Sequence, residues 1–157
     1  LGFEHKRFKP PTMQGMHVVM NWFEEIDRPA AKAFVARWHA KYPNETYIND
    51  MGENEYSAIY MYKKLAEMAG SFDLDKIRAQ IATGKACIDA PEGQICIDPK
   101  SQHASHQMTL LSVNADHSVK VEKVWPRVDP YWLGQIGCDL TKDDPKEQYT
   151  PSNLPSK

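Results

Sequence analysis

Apolar and polar positions change period twice along this chain, and the changes mark out its elements. Residues 16–23, MHVVMNWF, are a short run rich in β-formers after Gly15, which predicts a buried strand ending in an aromatic pair. Phe34, Val35, Trp38 and Tyr42 then recur at helical spacing, with Asp27 placed to cap the helix, Pro29 in its first turn and Pro43 to stop it. Residues 46–48 predict a second short strand. Over residues 53–69 a longer helix is expected, with Ala58, Tyr62, Leu65, Ala66 and Ala69 toward the core and Gly70 at its end. Asp73 is placed to cap a third helix whose stripe is Leu74, Ile77 and Ile81, with Gly84 as its stop. A strand leading into helices is an α/β pattern.

After Lys85 the period becomes that of strands. Residues 86–89 and 94–98 flank Pro91-Glu92-Gly93, a turn in which proline presets φ and glycine accepts unusual backbone angles. If Ile88 lies opposite Ile95, Cys87 lies opposite Cys96, close enough on one face of a two-stranded ribbon for a disulfide. Residues 107–113 and 118–125 predict a further hairpin turning at Asn114-Ala115-Asp116-His117. From Pro126 onward five prolines (126, 130, 145, 151 and 155) punctuate a polar tail expected to hold little regular structure beyond residues 131–136.

Charge narrows the functional classes. Nineteen basic against 21 acidic side chains among 157 residues give a formal net charge of −2, so there is no global positive field to attract nucleic acid. No apolar run approaches the roughly 18 residues of a membrane span. Three cysteines leave Cys138 over if Cys87 and Cys96 pair, and such a pair suits an exported protein. The chain begins at Leu1 with the charged FEHKRFK in place of an apolar leader, which reads as a processed or truncated product.

The order FEEIDRPAAKAFVARWHAKYP, ENEYSAIYMYKKLAEMAG, DLDKIRAQI, DAPEGQICIDPKSQH and then a hairpin ending in VW resembles the C-terminal half of type I periplasmic solute-binding proteins. Within them it is most similar to the amide- and urea-binding branch. The resemblance runs over most of residues 16–130 and is most specific over 89–98. It implies an α/β fold, the C-terminal portion of a bilobal protein with a β-hairpin-rich second half. Residues 16–125 would be the partial binding domain, 1–15 a leading segment and 126–157 a Pro-rich tail. It also implies a periplasmic component of an ABC transporter that captures a short-chain amide, urea or related compound by hinge closure, without covalent chemistry or a cofactor. Its partners would be a membrane permease and the missing N-terminal half. A cytoplasmic amide-sensing regulator of amidase expression, also found in this branch, is the second expectation, and an enzyme the third.

On that resemblance Trp22 and Phe23 fall where the strand-to-helix loop faces the cleft, as aromatic walls for a planar amide, with Phe23 preferred. Glu53 and Tyr56 match a Glu-x-x-Tyr of the family at the hinge or cleft. The expected ligand set is therefore Trp22, Phe23, Glu53 and Tyr56. His103 and His106 form His-x-x-His, but no third ligand stands at a diagnostic spacing, so no metal is expected. Glu24, Glu25 and Asp27 read as the ordinary acidic start of a helix, not as acid-base machinery. No nucleophile elbow, phosphate loop or zinc signature is present.

Overall fold

The structure is a computed structural model that describes residues 4–45 and 47–130. The expectations for residues 131–136 and Cys138 lie outside the described residues. In chain order the elements are α1 (Glu4–Arg7), β1 (His17–Met20), α2 (Pro29–Lys41), α3 (Asp50–Ala69), α4 (Leu74–Ala82), β2 (Cys87–Asp89), β3 (Gln94–Ile97), β4 (Ala104–Val113) and β5 (Val119–Val128). The described residues divide into two units: those from 4 to 60 with 89–94 and 106–128, and residues 61–88 with 95–105 and 129–130. The backbone passes from the first to the second within α3, re-enters the first for the turn at residues 89–94, and returns to it again within β4.

In the first unit β1 and β5 flank β4, both antiparallel to it, with Val18 opposite Leu111 and Thr109 opposite Val124. β1 is shorter than the apolar run predicts. It alternates exposed with half-buried positions because only one of its faces is covered. The chain leaves the pleat at Asn21, and Trp22 and Phe23 turn inward to join Ile26, Ala31, Phe34, Ile48 and Leu111 in the core. Trp22 meets the Phe34 ring edge-on at 5.6 Å and its indole N–H donates to the Ile48 carbonyl at 3.0 Å.

The acidic run before α2 is used differently from the expectation. Asp27 does not cap the helix: the cap position is Arg28, whose side chain makes no capping bond, and Asp27 pairs with Lys32. Glu24 Oε1 accepts the Ile48 N–H at 2.6 Å and meets His39 Nε2 at 3.0 Å, and Glu25 Oε2 accepts the Tyr47 hydroxyl at 2.6 Å. These bonds hold residues 47 and 48 in an irregular connection, so no strand forms there. His117, at the β4–β5 turn, accepts the Met13 N–H on Nε2 at 3.0 Å, and its Nδ1 lies 3.1 Å from the His5 carbonyl, tying the N-terminal residues down.

In α3 the buried stripe is Glu53, Ser57, Met61, Leu65 and Ala66, while Ala58 and Tyr62 face solvent. The stripe was hidden because two of its members are polar; the Ser57 hydroxyl donates to Glu53 Oε1 at 2.7 Å. β5 also runs further than expected, through Pro126 to Val128. Proline is tolerated because β5 pairs only with β4 among the described residues, and the register shifts between His106 and Met108, opposite Pro126.

In the second unit Asp73 caps α4 by accepting the Lys76 N–H at 3.1 Å, and Ile77 is buried, but Leu74 is exposed. The Cys87–Cys96 disulfide is present, with Cα atoms 4.1 Å apart. The Ile97 N–H bonds the Ala86 carbonyl, so Cys87 and Cys96 form the next, non-hydrogen-bonded pair, where opposing Cα atoms come closest. β3 continues the ladder to β4, Cys96 opposite Ser105.

Candidate functional site

Within the first unit, the end of β1, the first turn of α3, the Pro91–Gly93 turn and the start of β4 bring five polar side chains together. Ala90 and Gly93 exchange backbone bonds at 2.8 and 3.2 Å, which closes a tight turn and directs Glu92 inward. Gly93 is required there by space: an added Cβ would come within 3.3 Å of both Arg28 Nη1 and Gln107 Cβ. Arg28 holds the turn from the other side, donating to Asp89 Oδ1 at 2.7 Å and to the Ala90 carbonyl at 3.2 Å.

Glu92 is fully buried and both its oxygens are engaged. Oε1 meets His106 Nδ1 at 2.6 Å, and Oε2 accepts from Asn21 Nδ2. The same Asn21 amide donates to Asn54 Oδ1 at 2.7 Å. Glu53, also fully buried, receives the Ser57 hydroxyl on Oε1, whereas Oε2 meets no hydrogen-bond donor. Burial pushes the Glu53 carboxyl up to about 7; the Ser57 bond pulls against it and the negative charge of Glu92 adds to it. His106 is raised above the ordinary imidazole value, first by its bond to Glu92, against the opposing effect of burial. Near pH 6 Glu53 is therefore neutral and His106 carries its proton, which sets a cation beside the Glu92 side chain.

These shifts fix a pH dependence. Glu53 binds its proton more tightly folded than unfolded, so its contribution to stability is complete below about 4.5 and is lost as pH rises toward 7. His106 contributes fully below 6.5 and loses its contribution as pH rises through its raised value. His5, lowered by burial, acts oppositely: its contribution is present above 6.5 and is lost as pH falls through its depressed value. In urea unfolding at a series of pH values the stability of the native chain relative to Glu53→Gln, a difference in which the His5 and His106 contributions cancel, should therefore decline from pH 4.5 toward 7. An unchanged slope in that variant defeats the assignment.

The residues expected from the sequence are thus separated. Glu53 lies in the polar cluster. Trp22 and Phe23 are each 1% exposed, in the core beneath it, with the Trp22 indole donor already bonded. Tyr56 belongs elsewhere, its ring 4.5 Å from Phe34 and its hydroxyl accepting from Arg37 Nη2 at 3.2 Å. Asn21, Asn54, Glu92 and His106 were not singled out as ligand residues. The usable signal was Glu92, an acidic residue inside a turn bounded by apolar strands. Among the described residues no group of three or more His, Cys, Asp or Glu side chains is arranged to hold a metal ion.

Comparison with known proteins bears on what such a site serves. Residues 2–118 match the periplasmic binding protein family. Among solved structures the chain is similar to a periplasmic binding protein from Burkholderia mallei, with 25% identity, a TM-score of 0.65, and coverage of 77% of this chain and 32% of that one. A leucine-binding protein from Thermotoga maritima matches with 25% identity and a TM-score of 0.59, over 76% and 32% of the two chains. A solute-binding protein of an ABC transporter from Rhodopseudomonas palustris, solved with p-hydroxybenzoic acid, shares the fold at 20% identity and a TM-score of 0.65, over 80% and 34%. The chain spans about a third of the length of the structures it matches. With three quarters of its residues inside the family match and its fold shared with solved members, this chain belongs to the periplasmic binding protein family, and its α/β fold matches a fragment of the type I fold.

Proposed function

We propose that this chain is part of the solute-binding component of an ABC transporter, which captures a short-chain amide, urea or a related small polar compound in the periplasm and presents it to a membrane permease. The solute meets the exposed edges of the Asn21, Asn54 and His106 side chains, with Glu53 and Glu92 behind them and Trp22 and Phe23 as a rigid floor. One observation carries the ligand class. Carboxamide donors and acceptors stand beside a carboxylate and an imidazole, a mixed set that suits a ligand bearing both N–H and C=O groups. The p-hydroxybenzoic acid of one solved relative carries a carboxylate, and the cation of this cluster, His106, is already bonded to Glu92. The Cys87–Cys96 disulfide favours this exported role over a cytoplasmic amide-sensing regulator, since reducing compartments keep thiols apart.

Calorimetric titration tests the reading, using acetamide, formamide and urea, with leucine and 4-hydroxybenzoate alongside. A ligand of a few heavy atoms gains little from one wall, given a ceiling of about 1.5 kcal/mol per atom, so binding should be tight in the complete gene product and weak in this chain. Binding of leucine or 4-hydroxybenzoate, with none of the three amides, overturns the ligand class.

A further inference from the structure

We propose that the α2–α3 cleft of the first unit is a second binding site, shaped for a small aromatic carboxylate and sharing no residue with the polar cluster. A cavity of about 230 Å³ opens there, lined by Phe34, Arg37, Trp38, Lys41, Tyr42 and Tyr56. Four of the six are aromatic and two are cationic; none is acidic, in a chain whose net charge is −2.

The rings already stand in pairs. Phe34 and Tyr56 lie 4.5 Å apart and tilted, Trp38 and Tyr42 4.7 Å apart and tilted. A further aromatic ring entering the cleft continues a stacking array already at favourable centroid separations. The volume, below the roughly 300 Å³ at the small end of drug-sized pockets, limits the ligand to about one substituted ring. The cations select its charge. Arg37 uses one donor on the Tyr56 hydroxyl, leaving the others of its planar fork for a carboxylate. Lys41 Nζ sits 5.4 Å from the Tyr42 ring centroid. Neither cation has a carboxylate partner among the described residues. The negative end of the α2 dipole lies at Lys41 and opposes a bound anion, so both cations are needed to reverse the local field.

Nitrogen-15 NMR titration of this chain with phenylacetate tests the site, with benzylamine as the charge-reversed control and cyclohexylacetate as the non-aromatic one. Amide shifts should be confined to residues 34–42 and the neighbourhood of Tyr56, with a dissociation constant of roughly millimolar order for so small a ligand. Benzylamine and cyclohexylacetate should each bind about tenfold more weakly, as should phenylacetate to the Arg37→Gln, Lys41→Gln double variant. Both substitutions are at exposed positions, and the two control ligands require no variant. Benzylamine binding as well as phenylacetate, shifts centred on Asn21, Asn54 and His106 instead, or no shifts up to about 50 mM ligand overturns the proposal.

Discussion

Replacing Glu92 by alanine is expected to destabilise the first unit by about 3 to 5 kcal/mol, as removing one partner from a buried, hydrogen-bonded charge pair does. The side chain is fully buried and supports two groups at once, the His106 ring and the Asn21 carboxamide. Without it, Asn21 keeps only its bond to Asn54, and the protonated state of His106 loses the bond that raises its pKa. His106 is 31% exposed, so water recovers part of the loss and the lower end of the range applies. Glu92→Gln keeps the shape and removes the charge, and should fall between native and alanine. Urea unfolding at pH 6 measures all three, and a loss under about 1 kcal/mol for the alanine variant would mean that the network contributes little.

Phe23→Ala is expected to cost about 3 to 5 kcal/mol, the range for emptying a large aromatic site in a packed core. Phe23→Leu, which keeps most of the volume, should cost about 1.5 kcal/mol or less. The ring is 1% exposed and belongs to a cluster with Trp22, Phe34 and Leu111. A pocket wall would behave in the opposite way, with Phe23→Ala leaving the urea midpoint nearly unchanged while abolishing solute binding. Measuring stability and affinity on the same variant separates the two roles.

The parts of the fold that were legible in the sequence are those whose signal is local. The Cys87–Cys96 ribbon could be read because Pro91 and Gly93 fix the turn and the strand period of two fixes everything paired around it. α4 could be read because Asp73 both starts it and caps it. The losses came where a distant partner decides the outcome. Asp27 looked like a cap, yet the backbone is extended at Arg28, whose side chain is engaged by residues more than sixty positions away. Glu53 and Ser57 broke the apolar stripe of α3 because their mutual bond offsets part of the cost of burying them, which no hydropathy pattern displays. Asn21 and Glu92 are separated by 71 residues, and nothing in spacing alone joins them. Trp22 and Phe23 were located correctly at the strand end, but which way they turn depends on whether a covering helix stands over them, and α2 does.

Pro126 has a consequence for how copies of this chain meet. A strand with a free long edge is a template on which further chains add by backbone pairing, the first step toward fibrils. β5 has a single partner strand among the described residues, and its outward side would be such a template, since Val121, Val124 and Val128 are all exposed along it. Pro126 carries no amide donor and the register shift beside it bends the ladder, while Lys120, Glu122, Lys123 and Arg127 place charges along the strand. The proline that looked like the end of regular structure stands inside β5, where it and the charges around it make the strand a poor template for accretion.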